Sequence, residues 1–198
     1  MTSSALGTAS VGSELRFDPG RLCLDLVATG HPDDRLDSVD RLRAWCTAAG
    51  LVPDPTPLHG AHPGWLVDFR ELRAHIGLLV RGELGGRPAP GALERVNSLA
   101  REAPPAPRAV RAPDGTLARA LHDDPDCAAL IAAVARDTVD LLTDPVTRAR
   151  LRQCEGDNCP LIYLDTSRGG RRRWCSSEVC GNRERVARHR RRAALARA

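Results

Sequence analysis

Residues Cys154 to Cys180 read CEGDNCPLIYLDTSRGGRRRWCSSEVC, two C-x4-C pairs separated by 15 residues. Four thiolates satisfy a tetrahedral Zn²⁺, and a paired layout lets each half of the segment bring two sulfurs to one ion. Because Cys154, Cys159, Cys175 and Cys180 close the coordination shell, no position is left for water, and the single metal is expected to be structural. The segment offers only Leu161, Ile162, Tyr163, Leu164, Trp174 and a few Val as a core. That is too little to fold on apolar burial alone, whereas structural zinc supplies roughly 10–16 kcal/mol of apparent binding free energy. Between the pairs, Leu161 to Asp165 is apolar and β-prone, and Ser167-Arg168-Gly169-Gly170 makes a turn. Arg172 to Cys175 is expected to return as the second strand. Ser176 or Ser177 then caps a helix carrying Cys180 in its first turn, which completes a treble-clef-like, four-cysteine zinc finger of β-hairpin and helix. Thiolates at the start of that helix meet the positive end of its dipole.

The helix that follows has little to bury. At 100° per residue Val179, Val186 and Ala193 fall on one seam flanked by Asn182 and His189. Arg183, Arg185, Arg188, Arg190, Arg191 and Arg192 fill most of the remaining circumference, and Leu195 lies opposite the seam, so that the last turns are expected to fray or to extend beyond the body of the finger. Arg168, Arg171, Arg172 and Arg173 form a second basic patch on the hairpin turn. So many guanidinium groups on one small module point to a polyanion surface. Asn182 has two readings: a base-reading side chain, or a group serving the helix or metal loop through backbone hydrogen bonds.

The whole-chain charge conceals this. The 198 residues carry 29 cations, every one Arg, against 25 acids, a net charge of +4. From Arg148 onward there are 14 Arg and five acids, a net +9, and the first 147 residues carry −5. Opposite signs predict different partners for the two parts. Exclusive use of Arg in a chain rich in Ala, Gly and Pro reflects a GC-rich genome, so position carries the information rather than residue type. The seven cysteines are odd in number, which disfavours a complete disulfide framework. Cys23, Cys46 and Cys127 stand alone among apolar neighbours and are expected to be small buried hydrophobes. The start, MTSSALGTASVGSEL, lacks the basic residues and apolar core of a secretory signal, and no run of 18 apolar residues occurs. A soluble, cytoplasmic, nucleoid-associated protein without membrane contact is expected.

Ahead of the cysteines, residues 1–15 are expected to be disordered and residues 16–143 to form a mainly α domain with one small β-hairpin. A short buried helix follows Pro19-Gly20 with Leu22, Cys23, Leu24, Leu26 and Val27. A helix of about twelve residues carries Leu36, Val39, Leu42, Trp45 and Cys46, capped by Asp37 or Ser38 and ended by Gly50. The proline-rich stretch 51–64 is a loop. A long helix lines up Trp65, Phe69, Leu72, Ile76, Leu79, Val80 and Leu84 up to Gly85-Gly86. Another runs from Pro90 with Leu93, Val96 and Leu99 inward. Val110 to Leu121 turns at Asp114-Gly115 as a hairpin. A last helix starts with Asp124 as cap and Pro125 at its first position, with Cys127, Leu130, Ile131, Val134, Thr138, Leu141 and Leu142 on one stripe. Asp144-Pro145 begins the connection to the finger, residues 148–198.

The run Ser167-Arg168, Arg172-Arg173-Trp174-Cys175-Ser176 and Cys180-Gly181-Asn182-Arg183 closely resembles the CGNR zinc finger of bacterial proteins. In that family the finger ends the chain, behind a helical domain called ABATE, described for stress-induced transcription regulators. Gly20-Arg21-Leu22-Cys23-Leu24-Asp25-Leu26 and the Leu36-to-Trp45 helix with Gly50-Leu51 are similar to its start, and the resemblance covers roughly 16–192. The family often has Asn after the Ser-Arg pair and Lys after the CGNR run, where Gly169 and Glu184 stand here; the metal ligands are unaffected.

The residues and the resemblance together predict a zinc-dependent, DNA-binding transcriptional regulator whose helical domain senses a small-molecule effector or mediates assembly, a homodimer included. The alternative is a structural zinc module that binds RNA or a protein. Catalysis is not expected: Asp25, His31, His59, His62, His75 and His122 show neither a metal triad nor nucleophile–base spacing.

Overall fold

The computed structural model describes Leu15 and residues 17–195; of the disorder expected at residues 1–15, residues 1–14 lie outside the described residues, whereas Leu15 is half-buried against the helical core. In chain order the elements are α1 Leu22–Ala28, α2 Val39–Ala48, α3 Pro63–Gly85, α4 Pro90–Ala100, β1 Pro107–Arg111, β2 Leu117–Leu121, α5 Cys127–Thr143 and α6 Pro145–Arg148. After them come β3 Leu151–Gln153, β4 Ile162–Leu164, a π-helical turn Ser177–Gly181 and α7 Asn182–Leu195. The fold is therefore mainly helical with two small antiparallel hairpins.

The long α3 is the axis on which α1, α2, α4 and α5 pack. Its Phe69, Leu72, Ile76 and Val80 are fully buried with Leu24 and Leu26 of α1, Trp45 and Cys46 of α2, Val96 of α4, and Leu130, Val134 and Leu141 of α5. Trp45 meets Phe69 edge to face at 6.0 Å between centroids, the geometry favoured by the ring quadrupoles. Helix ends follow local chemistry. The Ser38 hydroxyl accepts the Arg41 N–H and starts α2. The His62 ring accepts the Gly64 N–H, so α3 begins inside the proline-rich stretch, and Gly86 ends it at φ 63, a left-handed conformation that Gly adopts freely.

Several expectations need correction. The cap of α5 is Asp126, whose carboxylate accepts the Ala129 N–H, so Asp124 and Pro125 precede the helix. On α4 the inward stripe is Ala92 and Val96, with Leu99 partly covered, and this phase turns Leu93 about 100° away into solvent. Leu84 is exposed because the last turn of α3 runs beyond the core. The first hairpin begins at Pro107, earlier than Val110, and pairs it with Leu121. Cys23 and Cys46 are buried as expected, but Cys127 is only half-buried and its thiol donates to Asp68 Oδ2 at 3.6 Å.

The second hairpin ties the cysteine segment to the helices. Leu151, Ile162 and Leu164 belong to the same apolar core as α1, α3 and α5. The Leu164 N–H donates to the Pro19 carbonyl at 2.9 Å, just ahead of α1.

Candidate metal centre and basic surface

The finger hairpin is formed by β3 and β4, with Leu151 opposite Leu164 and Gln153 opposite Ile162. This corrects the expected pairing of Leu161–Asp165 with Arg172–Cys175. The knuckle between β3 and β4 carries the first cysteine pair, and the strand preceding Cys154 is supplied from upstream of the motif. Residues 172–175 take no strand conformation and meet the first cysteine knuckle through the Glu155 N–H, which donates to the Arg173 carbonyl at 2.9 Å. The second pair is also placed differently from expectation. Ser176 caps a π-helical turn by accepting the Val179 N–H, and the Gly181 N–H reaches back to the Ser176 carbonyl at 3.0 Å. Cys180 sits in that wide turn and α7 starts only at Asn182. Such turns recur at functional positions because they rotate one side chain out of helical phase.

The geometry fits a metal. The four Sγ atoms of Cys154, Cys159, Cys175 and Cys180 lie within 4.8 Å of one another, and all four residues are buried. Cys159 and Cys175 are 3.7 Å apart and Cys175 and Cys180 3.6 Å apart. Zn–S bonds of about 2.3 Å in a tetrahedron give sulfur–sulfur edges of about 3.8 Å. Burial, then repulsion from Cys159 and the other sulfurs, pushes the Cys175 thiol well up, and burial pushes Cys180 up to about 11. Burial acts the same way on Cys154, but the N–H groups of Cys175 and Gly156, at 3.3 and 3.4 Å, outweigh it and hold its thiol below the ordinary value. A divalent cation relieves the mutual repulsion that burial creates, and this centre holds one structural zinc.

Residues 20–145 match the ABATE family, whose description reads "Putative stress-induced transcription regulator", and residues 150–193 match the CGNR zinc finger. The chain belongs to the ABATE family. Among curated proteins, none matches this chain.

Around the CGNR centre the structure reveals supporting residues that the cysteine spacing does not signal. A Cβ on Gly156 would stand 3.2 Å from Cys180 Cβ and 3.4 Å from its sulfur, a close approach that Gly gives the knuckle without displacing the ligand. Asn158 takes the left-handed conformation at φ 56 within the same knuckle. Asp165 is buried and accepts from the Ser167 N–H and hydroxyl at 2.9 and 2.6 Å and from the Arg172 N–H at 3.0 Å. The Ser167 hydroxyl foremost holds its carboxyl below the usual range. The only forward signal for Asp165 is its place two residues before Ser167, the spacing of an Asx turn.

The arginines of the CGNR finger divide by what they already touch. Arg168, Arg171, Arg183, Arg188, Arg190 and Arg192 are exposed. Arg173 is exposed but pairs with Glu155 at 2.6 Å and lies over the Trp174 ring at 5.3 Å. Arg191 pairs with Glu184 at 2.9 Å, which gives a role to the Glu that stands where the family often has Lys. Arg185 donates to the Asn182 amide oxygen and to the Ser177 carbonyl of the turn that carries Cys180, so exposed Asn182 is held at the start of α7 through a side chain. Arg172 is half-buried and turned inward. No residue of α7 is buried; Val186 is exposed and Ala193 half-buried, so the expected apolar seam is left largely open. The helix runs through to Leu195, the last described residue.

Elsewhere the histidines have local roles. His62 caps α3, and His75 lies 3.6 Å from Glu71 one turn away on α3. Among the described residues the cysteine cluster is the only group of His, Cys, Asp and Glu placed to hold a metal. No helix of the described residues is long and apolar enough to cross a membrane.

Proposed function

We propose that the protein is a DNA-binding transcription regulator. In this reading the zinc-ordered CGNR finger delivers Arg168, Arg171, Arg183, Arg188, Arg190 and Arg192 to the phosphate backbone, while the ABATE domain senses a small-molecule effector or holds an assembly together. The observation that carries it is α7, a 14-residue helix with no buried residue and arginines around most of its circumference. A helix that buries none of its residues and is charged on several sides suits a groove walled by two phosphate strands, about 12 Å wide in duplex DNA. The protein acts here as a binding module, not an enzyme.

Salt titration of duplex binding tests this. About five to six neutralised phosphates give log K against log salt a slope of about −5. A flat dependence contradicts the proposal, and equal or stronger binding of structured RNA in competition assigns the arginines to RNA instead.

A further inference from the structure

We propose that Arg172 is a positioning residue that locks the zinc loop onto the helical domain, rather than a phosphate ligand. Its guanidinium is committed to the protein itself. Nε donates to the Trp174 carbonyl at 2.8 Å, and Nη2 donates to the Cys175 carbonyl and, at 3.1 Å, to the Asp18 carbonyl 154 residues away in sequence. The cation lies 4.5 Å above the centroid of the Tyr163 ring. Even the backbone of the residue is engaged, its N–H with Asp165 and its carbonyl with the Tyr163 hydroxyl. Charge-assisted hydrogen bonds and a stacked ring hold a half-buried guanidinium far better than they hold an ammonium, because the planar fork reaches several carbonyls at once.

The two ends of this clasp belong to different parts of the protein. Cys175 is a metal ligand, and Asp18 leads through Pro19, the acceptor of the Leu164 N–H, into α1. The far end of α1 returns to the same place, where Ala28 packs with Cys154, Cys159, Cys175, Cys180, Leu161 and Tyr163. Residues 18–28 are therefore held at both ends by the metal segment, while the middle of α1 is buried in the helical core through Leu24 and Leu26. Zinc occupancy and the packing of α1 are coupled through this strut, and Arg172 closes it.

The test uses the full-length, zinc-loaded protein and its Arg172→Lys, Arg172→Ala and Arg171→Ala variants. Three readouts are followed: zinc release to a chromophoric chelator, thermal melting of the helices by far-UV circular dichroism, and the salt slope on a short duplex. Both Arg172 variants are expected to release zinc about tenfold faster, the loss of one or two charge-assisted bonds, and to melt earlier, with lysine giving no rescue. Their salt slope stays as in the unaltered protein. Arg171→Ala does the reverse, keeping zinc and lowering the slope by about one. In the unaltered protein, chelation of zinc is expected to raise hydrogen exchange at the Leu164 amide and through residues 22–28, which reads the strut without any substitution. Three results would overturn the proposal: normal zinc retention in Arg172→Lys, a lowered salt slope with normal retention in Arg172→Ala, or unchanged exchange along α1 on zinc removal. The slope arm rests on the DNA-binding proposal, but the zinc and exchange arms do not, so the two fail separately.

Discussion

Asp25 is a buried carboxyl with little to hold its charge. It sits in α1, buried, with Oδ1 lacking a hydrogen-bond partner. Burial pushes its carboxyl up to about 7; the Gly20 N–H pulls the other way, and the nearby Asp137 and Asp18 carboxylates add to the rise. A folded value above the unfolded one means that the folded chain holds the proton between about pH 4 and pH 7, so stability falls as pH rises through that window. Asp25→Asn keeps an acceptor for the Gly20 N–H and removes the charge. It is expected to flatten that fall and to raise the melting midpoint at about pH 8 with little change at about pH 4; an unaltered pH profile would show that Asp25 titrates as an ordinary acid. At this scale the metal ligands are legible in the sequence, because four cysteines in paired spacing have few other uses. The arginines are not sorted by it. Arg172 and Arg171 are neighbours of identical chemistry, and what distinguishes them is the set of carbonyls and the Tyr163 ring that the fold gathers around Arg172.

Elements are readable where local rules govern them. Ser38, Gly86 and the apolar stripes of α3 and α5 mark their helices through capping and periodicity, and the structure agrees. Misplacements arise where distant chain decides. Local pattern pairs Leu161–Asp165 with the nearest β-prone stretch downstream, yet its partner is Leu151–Gln153, which is held there because Leu151 is buried in the helical core. Short strands carry too little pattern to reveal a partner chosen by tertiary packing. The π-helical turn is invisible in the sequence because its residues also suit an ordinary helix start. For α7 the lack of buried residues has a measurable consequence. Helices of this length without tertiary packing are marginal in water. Ala187→Gly on α7 removes no charge but costs about 1 kcal/mol of helix propensity, so DNA affinity is expected to drop about fivefold with an unchanged salt slope. Unchanged affinity would mean that the arginines bind from an extended arm.

Over the whole molecule, the near-neutral charge of +4 is a cancellation between a helical part of −5 and a basic end of +9, and the structure adds that the two are not loosely tethered. The metal segment shares its apolar core with α1, α3 and α5 through Leu151, Ile162 and Leu164. Composition reveals the opposite charges; the shared core is hidden from it, because each of its residues also reads as the small core of a separate finger. In the proposed reading, an effector bound by the ABATE domain would act on the basic surface through the segment that Arg172 clasps. Zinc, in the proposed reading, organises this surface, and the decisive comparison is the duplex-DNA affinity of the zinc-loaded and the chelator-stripped protein at the same ionic strength. Loaded protein is expected to bind at least about tenfold tighter, with the steeper salt slope of a surface that presents its arginines together. Equal affinity and equal slope in the two states would contradict the account, because the arginines would then act as a basic tail that needs no metal.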